Sequence, residues 1–258
     1  MTRKIELREL SKSFPKAGGD RLQVLERLSA EVAEGEFVSL LGPSGCGKST
    51  LLNILAGLEA ASGGEVLVDG VRPGPDRPAF GLVFQEPRLL NWRTVRQNLL
   101  FPLEHLRVVG SEAEARMNRY LRLVGLDGFD KYYPLQLSGG MQMRVAIARA
   151  LAIEPAVLLM DEPFSSLDAI TARKMREELI RIWKEAGRTV LFVTHDIEEA
   201  VFLSTRVLIV TPRPARLYAE VPVDVPYPRH PDDDRLFAVE KQAVKTFFQM
   251  EAQYEVPT

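Results

Sequence analysis

Nine consecutive residues, Gly42-Pro-Ser-Gly-Cys-Gly-Lys-Ser-Thr50, have the types and spacing to hold a polyphosphate. Gly42, Gly45 and Gly47 let successive backbone N–H groups turn toward one point, with Pro43, Ser44 and Cys46 between them. Lys48 brings a point charge to terminal phosphates, and Ser49 a hydroxyl for Mg²⁺. With Thr50 following, the string fits G-x-x-x-x-G-K-[ST], whose mechanism requires a strand before it and a helix after it.

A second candidate is the pair Asp161-Glu162, which follows the apolar run Val157-Leu-Leu-Met160. Ligands bind at the C-terminal ends of strands in parallel sheets, so two carboxylates there suit chemistry. Adjacent strand residues point opposite ways, which predicts two jobs. Asp161 suits the Mg²⁺ shell, and Glu162 suits a base accepting a proton from water that attacks a γ-phosphate. Cys46 is chiefly a tolerated small residue, but beside Lys48 and a helix N-terminus its thiol is expected to have a lowered pKa. It should then react with maleimide unless ATP protects it.

The elements that must position these groups are legible in the hydrophobic pattern. Phe37-Val-Ser-Leu-Leu41 is an apolar run ending in glycine, and Leu51, Leu52, Ile54 and Leu55 follow at helical spacing. Ala156 to Met160, Thr189 to Val193 and Val207 to Val210 repeat the format beside helical stretches such as Ala169 to Ala186. That alternation predicts a parallel sheet covered on both faces, hence an α/β fold. Ile5/Leu7 and Leu28/Ala30/Val32 alternate as half-buried antiparallel strands do. Between 86 and 154 helical patterns dominate, at Ala113 to Val124 and Gly140 to Ala152, and read as an insertion. Six of the 17 prolines lie between Pro212 and Pro231, marking an extended segment outside the sheet. A last helix follows from Asp232 to Gln253, and the acidic triplet Asp232 to Asp234 reads as its cap rather than a metal site.

Composition removes other classes. The 258 residues carry 33 basic and 35 acidic side chains, a net charge of -2, and 46% are hydrophobic. No global attraction to nucleic acid or anionic lipid arises from that balance, so any anion site is local. One cysteine makes no intramolecular disulfide, and the charged N-terminal residues do not suit a secretory signal, which points to the reducing cytosol. No apolar run approaches the roughly 18 to 20 residues of a membrane helix. If the protein works at a membrane, another subunit must span it.

Leu137-Ser-Gly-Gly-Met-Gln142, opening a helix, resembles the signature of the ATP-binding cassette (ABC) ATPases. Ser138, Gly139 and Gly140 there present N–H groups and a hydroxyl to an anion. The family often has glutamine where this chain has Met141, which leaves that pattern intact. Gln85, after Phe80-Gly-Leu-Val-Phe84, resembles the glutamine that contacts Mg²⁺ and the attacking water. Ser165-Ser-Leu-Asp168 is similar to the loop that reaches across a dimer. His195 resembles the histidine that orients the γ-phosphate, and Phe14 the aromatic residue that stacks on adenine, usually tyrosine. Within the family, Val83 to Thr94, Leu137 to Arg144 and Thr211 to Arg216 resemble the nitrate, sulfonate/taurine and bicarbonate importer group, with Asn91 in place of its usual proline.

The resemblance runs from about Lys4 to Arg229 and implies a phosphate-loop NTPase core of RecA type with a mostly parallel sheet, an N-terminal antiparallel β subdomain and an α-helical subdomain. It implies one cassette over 1–258. The core with its β subdomain takes about 1–85 and 155–211, the helical subdomain about 86–154, and the Pro-rich segment and last helix 212–258. It implies ATP hydrolysis with Mg²⁺, a second copy of the chain sandwiching ATP, membrane-spanning permease subunits, indirectly a solute-binding protein, no nucleic acid, and a place on the cytoplasmic face of the membrane. Three alternatives stand beside it. A soluble cassette acting on nucleic acid or the ribosome usually has two cassettes or a long coiled coil, a small-molecule kinase needs no Leu137 to Gly140, and an exporter cassette is usually fused to its membrane domain.

Overall fold

The computed structural model describes residues 2–16, 18–73 and 80–254. In chain order the elements are β1 (Arg3–Pro15), β2 (Arg21–Ala33), β3 (Phe37–Leu41), α1 (Lys48–Leu55), β4 (Gly63–Val68), β5 (Phe80–Val83), α2 (Val95–His105), α3 (Gly110–Leu123), α4 (Gly139–Ala152), β6 (Val157–Asp161), α5 (Ala169–Ala186), β7 (Thr189–Thr194), α6 (Ile197–Leu203), β8 (Arg206–Val210), β9 (Leu217–Pro222) and α7 (Asp234–Tyr254). They form two compact units, Met1–Ala79 with Thr189–Thr258, and Phe80–Arg188.

The first unit holds two sheets. β1 pairs antiparallel with β2 and β4, with Ile5 facing Val32 and Val68. In the second sheet β3 lies between β7 and β8, parallel to both, and β9 closes the edge antiparallel to β8. All five residues of β3 and all six of β7 are buried, as continuous apolar runs in a covered parallel sheet must be. The α/β reading therefore holds, together with the antiparallel subdomain. α6 packs on β3 and β7, and α7 packs on α6 and β9.

In the second unit β5 and β6 pair in parallel from Phe80↔Val157 to Val83↔Met160, while α2 and α3 pack on α4. Helix α2, which the hydrophobic pattern did not single out, starts at a reciprocal cap: Thr94 accepts from Gln97 N–H while the Gln97 side chain accepts from Thr94 N–H. The capping reading of the acidic triplet also holds. Asp233 Oδ1 accepts from Arg235 N–H at 2.9 Å at the start of α7, and its contacts with Arg235 pull the carboxyl down to about 2. No helix among the described residues is long and apolar enough to cross a membrane.

Candidate active site

In the first unit the glycine-rich loop runs from the end of β3 into α1, and two of its glycines are required by sterics. A Cβ at Gly42 would meet Val210 Cγ2 at 2.6 Å, and one at Gly47, where φ is 123°, would meet Val24 Cγ1 at 2.8 Å. Gly47 is also the N-cap of α1, so no side chain caps the helix start, where backbone N–H groups and the helix dipole favour an anion. Lys48 is buried, its Nζ donating to Gly42 O at 2.7 Å and Pro43 O at 3.0 Å, so its charge is held over the loop. Ser49 is exposed on the first turn and Thr50 half-buried behind it.

Cys46 overturns the expectation of a reactive thiol. It is 2% exposed, its N–H bonds back to Pro43 O, and burial pushes the thiol up despite the nearby Lys48 and Arg213 charges. Desolvation of the thiolate outweighs attraction to the cations.

The same unit positions His195. It follows β7 directly and is exposed, between two residues that lock the turn. Thr194 Oγ1 donates to the buried Glu199 carboxylate at 2.5 Å and accepts from Asp196 N–H at 3.0 Å. Asp196 caps α6 by accepting from Glu199 N–H at 3.0 Å. Phe14 lies half-buried on β1 with Lys12 Nζ 4.6 Å from its ring centroid, and Glu59 holds that ammonium at 2.6 Å. One face of the ring thus already carries a cation.

In the second unit Asp161 ends β6, half-buried. Glu162 leaves the strand altogether, with a φ of 46°. Its direction is set by a left-handed turn rather than by strand alternation, and such strain in a non-glycine residue is concentrated at functional sites. Ser165 ties this turn down, and Asp168 caps α5 by accepting from Thr171 N–H at 3.0 Å; the Thr171 side chain first and then its N–H lower the Asp168 pKa. Gln85 is exposed in the loop after β5. Ser138 is the N-cap of α4, its hydroxyl accepting from Met141 N–H at 3.3 Å, with Gly139 exposed beside it. A Cβ at Gly140 would stand 3.3 Å from Thr171 Cγ2, so close packing against α5 favours glycine there.

Ser49 in the first unit, and Asp161 and Gln85 in the second, each offer an oxygen, the atom that hard Mg²⁺ prefers. Among the described residues no group of three or more His, Cys, Asp or Glu could hold a metal. Mg²⁺ bound through substrate phosphates needs only one or two carboxylates from a protein.

Two arginines emerge that the sequence reading did not assign. Arg213 Nη2 donates to Gly45 O, bracing the phosphate loop from the Pro-rich segment. Arg149, on α4, donates to Arg88 O at 2.8 Å and Pro87 O at 2.9 Å, just after Gln85.

Comparison with known proteins shows the family. Residues 25–165 match the ABC transporter family model. The chain is 41% identical over 243 residues, 94% of it and 95% of the relative, to the aliphatic sulfonates import ATP-binding protein SsuB of Bacillus cereus. It is 47% identical over 229 residues, 88% of it and 84% of the relative, to an uncharacterized ABC transporter ATP-binding protein of Methanocaldococcus jannaschii. Among solved structures, the dimeric post-hydrolysis ATP-binding cassette MJ0796 bound to ADP and Pi superposes with a TM-score of 0.73 at 35% identity, covering 86% of this chain and 99% of that one.

Proposed function

The chain belongs to the ABC transporter ATP-binding family, and from that premise we propose that it binds and hydrolyses ATP as the cassette subunit of an importer for a small anion or organic solute of the nitrate, sulfonate/taurine or bicarbonate type. The observation that carries this reading is the phosphate loop, with buried Lys48 Nζ held over it at a helix start whose N-cap is a sterically required glycine.

In this reading the loop from Gly42 to Thr50 wraps the phosphates with backbone N–H groups, and Lys48 reaches the β- and γ-phosphates. Phe14 stacks on adenine with the ring face away from Lys12. Ser49, Asp161 and Gln85 hold Mg²⁺, which when bound neutralises charge developing on the phosphates. Glu162 accepts a proton from water as its oxygen bonds to the γ-phosphorus and the bond to the β-phosphate oxygen breaks, releasing ADP and phosphate. His195 orients the γ-phosphate and the water.

Ser138, Gly139 and Gly140 face the γ-phosphate of ATP held by a second copy, so ATP bridges two chains and its loss releases them. The helical stretch of about 86–154 and the loop after Gln85 receive the permease. The solute itself is chosen by the permease and a solute-binding protein, and the cassette sits peripherally on the cytoplasmic face of the membrane.

The test is capture of the tagged chain from detergent-solubilised native membranes, with phosphate release assayed on the captured complex. A multi-span permease in near-equal amount, with phosphate released to water, is the expected result. Recovery with ribosomes, nucleic acid or nothing removes the transport role, and phosphate transferred to a small molecule removes the hydrolytic one.

A further inference from the structure

The Pro-rich segment after β9 has no part in the chemistry above, yet its two most constrained side chains both end on α6, the helix that carries His195 at its start. Arg229 is 4% exposed. Its Nη1 donates to Val201 O at 2.8 Å, Phe202 O at 2.9 Å and Ser204 O at 2.7 Å. Tyr227 Oη donates to Leu203 O at 2.6 Å, and its ring lies 4.0 Å from the Arg229 guanidinium carbon. The carbonyls of four successive residues, Val201 to Ser204, are therefore all occupied by these two side chains. Arg229 Nε and Nη2 reach back to Val225 O at 2.9 Å and Val223 O at 3.2 Å, which fastens the segment itself to the helix end.

Helix α6 needs such help. It has seven residues and no basic residue in its last turn. A helix this short is marginal alone, and its last carbonyls require partners. A guanidinium at the C-terminus answers both the hydrogen-bonding need and the dipole. The far end of the helix begins two residues after His195, about 10 Å away at the helical rise per residue. There Asp196 and Glu199 join it to Thr194 on both sides of the histidine. Ser204 Oγ also donates to Ala200 O at 2.6 Å and shares a hydrogen bond with Ser39 Oγ in β3, so α6 is keyed to the strand that feeds the phosphate loop. α7 packs along α6, with Glu240 facing the acidic residues Glu198 and Asp196.

We propose that Arg229 and Tyr227 are positioning residues for His195: by clamping the C-terminal end of α6 they hold the imidazole at its N-terminal end where hydrolysis needs it. This rests on the role of His195 given above. Both residues spend their polar groups on backbone carbonyls outside the loop from Gly42 to Thr50, so the clamp acts on turnover rather than on nucleotide affinity.

The experiment compares Tyr227→Phe, Arg229→Lys and Arg229→Met in the full chain, reading kcat and KM for ATP and the imidazole NMR resonances. The chain has three histidines, so the His195 signal is assigned by its loss in His195→Ala, and His105, on α2, is the internal control. Arg229→Met should lower kcat about tenfold with KM within about twofold, as misplacement of a group acting in the transition state does. Arg229→Lys should recover part of that loss, and Tyr227→Phe should lower kcat by a few-fold. The His195 resonance should move in each variant while that of His105 stays.

Folded variants with unchanged kcat, or a reduced kcat with an unmoved His195 resonance, would overturn the clamp and leave these residues as fasteners of the tail. If Arg229→Met does not fold, Tyr227→Phe, which removes a single oxygen, decides by the same two readouts. Full activity in His195→Ala overturns the role of His195 itself, a failure that involves no change at 227 or 229.

Discussion

Ser165 Oγ donates to the backbone carbonyl of Glu162 at 2.9 Å, while Ser165 N–H points to the same oxygen at 3.2 Å. Two donors on one carbonyl hold a residue whose φ of 46° would otherwise relax. The carboxylate proposed as base is thus aimed by a turn outside the strand, and Phe164, two residues on, is buried. Strain of this kind persists only where neighbours over-determine it.

Glu162→Gln should lower the rate of phosphate release by about 10² to 10⁴, the usual worth of a general base, with ATP affinity retained. Ser165→Ala removes one of the two donors and should cost a smaller factor in kcat at unchanged KM. Steady-state phosphate release with parallel nucleotide titration checks both, and a fully active Glu162→Gln enzyme would remove this carboxylate from the mechanism.

Lys48→Ala and Ser138→Arg should fail at different steps. Lys48 Nζ is buried over the loop, so its deletion takes the main point charge from the phosphates and should weaken ATP binding itself. Ser138 is exposed at the N-cap of α4, where an arginine removes the cap and blocks approach of a partner's nucleotide, so ATP still binds but no longer pairs two chains. Calorimetry gives the first result and light scattering with ATP the second. Normal affinity in Lys48→Ala contradicts the phosphate-loop role, and normal pairing in Ser138→Arg contradicts the contact with a partner.

Cys46 should label slowly. Its thiol is 2% exposed and pushed up by burial, so little thiolate is present and little of it is reachable. A maleimide time course at pH 7, followed by mass spectrometry, should show labelling that accelerates only in denaturant. Rapid modification of the folded chain, blocked by ATP, would restore the reactive-thiol reading.

How far the sequence carried the reading depends on where the hydrogen-bond acceptors lie. The phosphate loop and the start of α4 at Ser138 were legible because backbone turns and helix starts demand particular residue types within a few positions, as Gly42 and Gly47 show by the atoms a Cβ would strike, and the place of Asp161 because an apolar strand run leads into it. Thr189 to Thr194 was legible because a buried parallel strand needs an unbroken apolar run. Arg149, Arg213 and Arg229 were not, because each binds backbone carbonyls distant in sequence, and a carbonyl carries no residue type: Arg149 reaches back 61 positions to Arg88, and Arg213 reaches back 168 to Gly45. The turn at Glu162 was hidden for a related reason, since nothing in a glutamate announces a positive φ.

The start of α7 should have a pH signature. Asp233 has a carboxyl pulled down to about 2, first by the Arg235 side chain and then by the Arg235 N–H. A depressed folded-state pKa contributes stability that is present above the unfolded value and is lost as pH falls through the folded one. Asp233→Asn should therefore lower Tm slightly at pH 7, and the gap from wild type should close between about pH 4 and pH 2. Thermal melts across that range check it; a gap that is constant with pH would assign the effect to the cap's shape rather than its charge.

Arg149→Met should separate holding the Gln85 loop from general stability. The guanidinium stands on α4 and donates to Arg88 O and Pro87 O at 2.8 and 2.9 Å, and burial lowers its pKa. Arg88 itself sits at a φ of 46°, with its guanidinium carbon 3.9 Å from the Phe84 ring, so the residues on either side of Gln85 are drawn together and pinned to the helix. Hydrogen bonds to a charged group are each worth about 1.5 to 3 kcal/mol, and methionine keeps the apolar stem while losing both, so urea unfolding should show a loss of about 2 kcal/mol or more. Because Gln85 is proposed to contact Mg²⁺ and the attacking water, kcat should fall further than the folded fraction explains. Unfolding free energy and kcat measured on one preparation decide it: a stability loss with normal kcat would make Arg149 a packing element only, and loss of neither would show that the Gln85 loop keeps its shape without these two bonds.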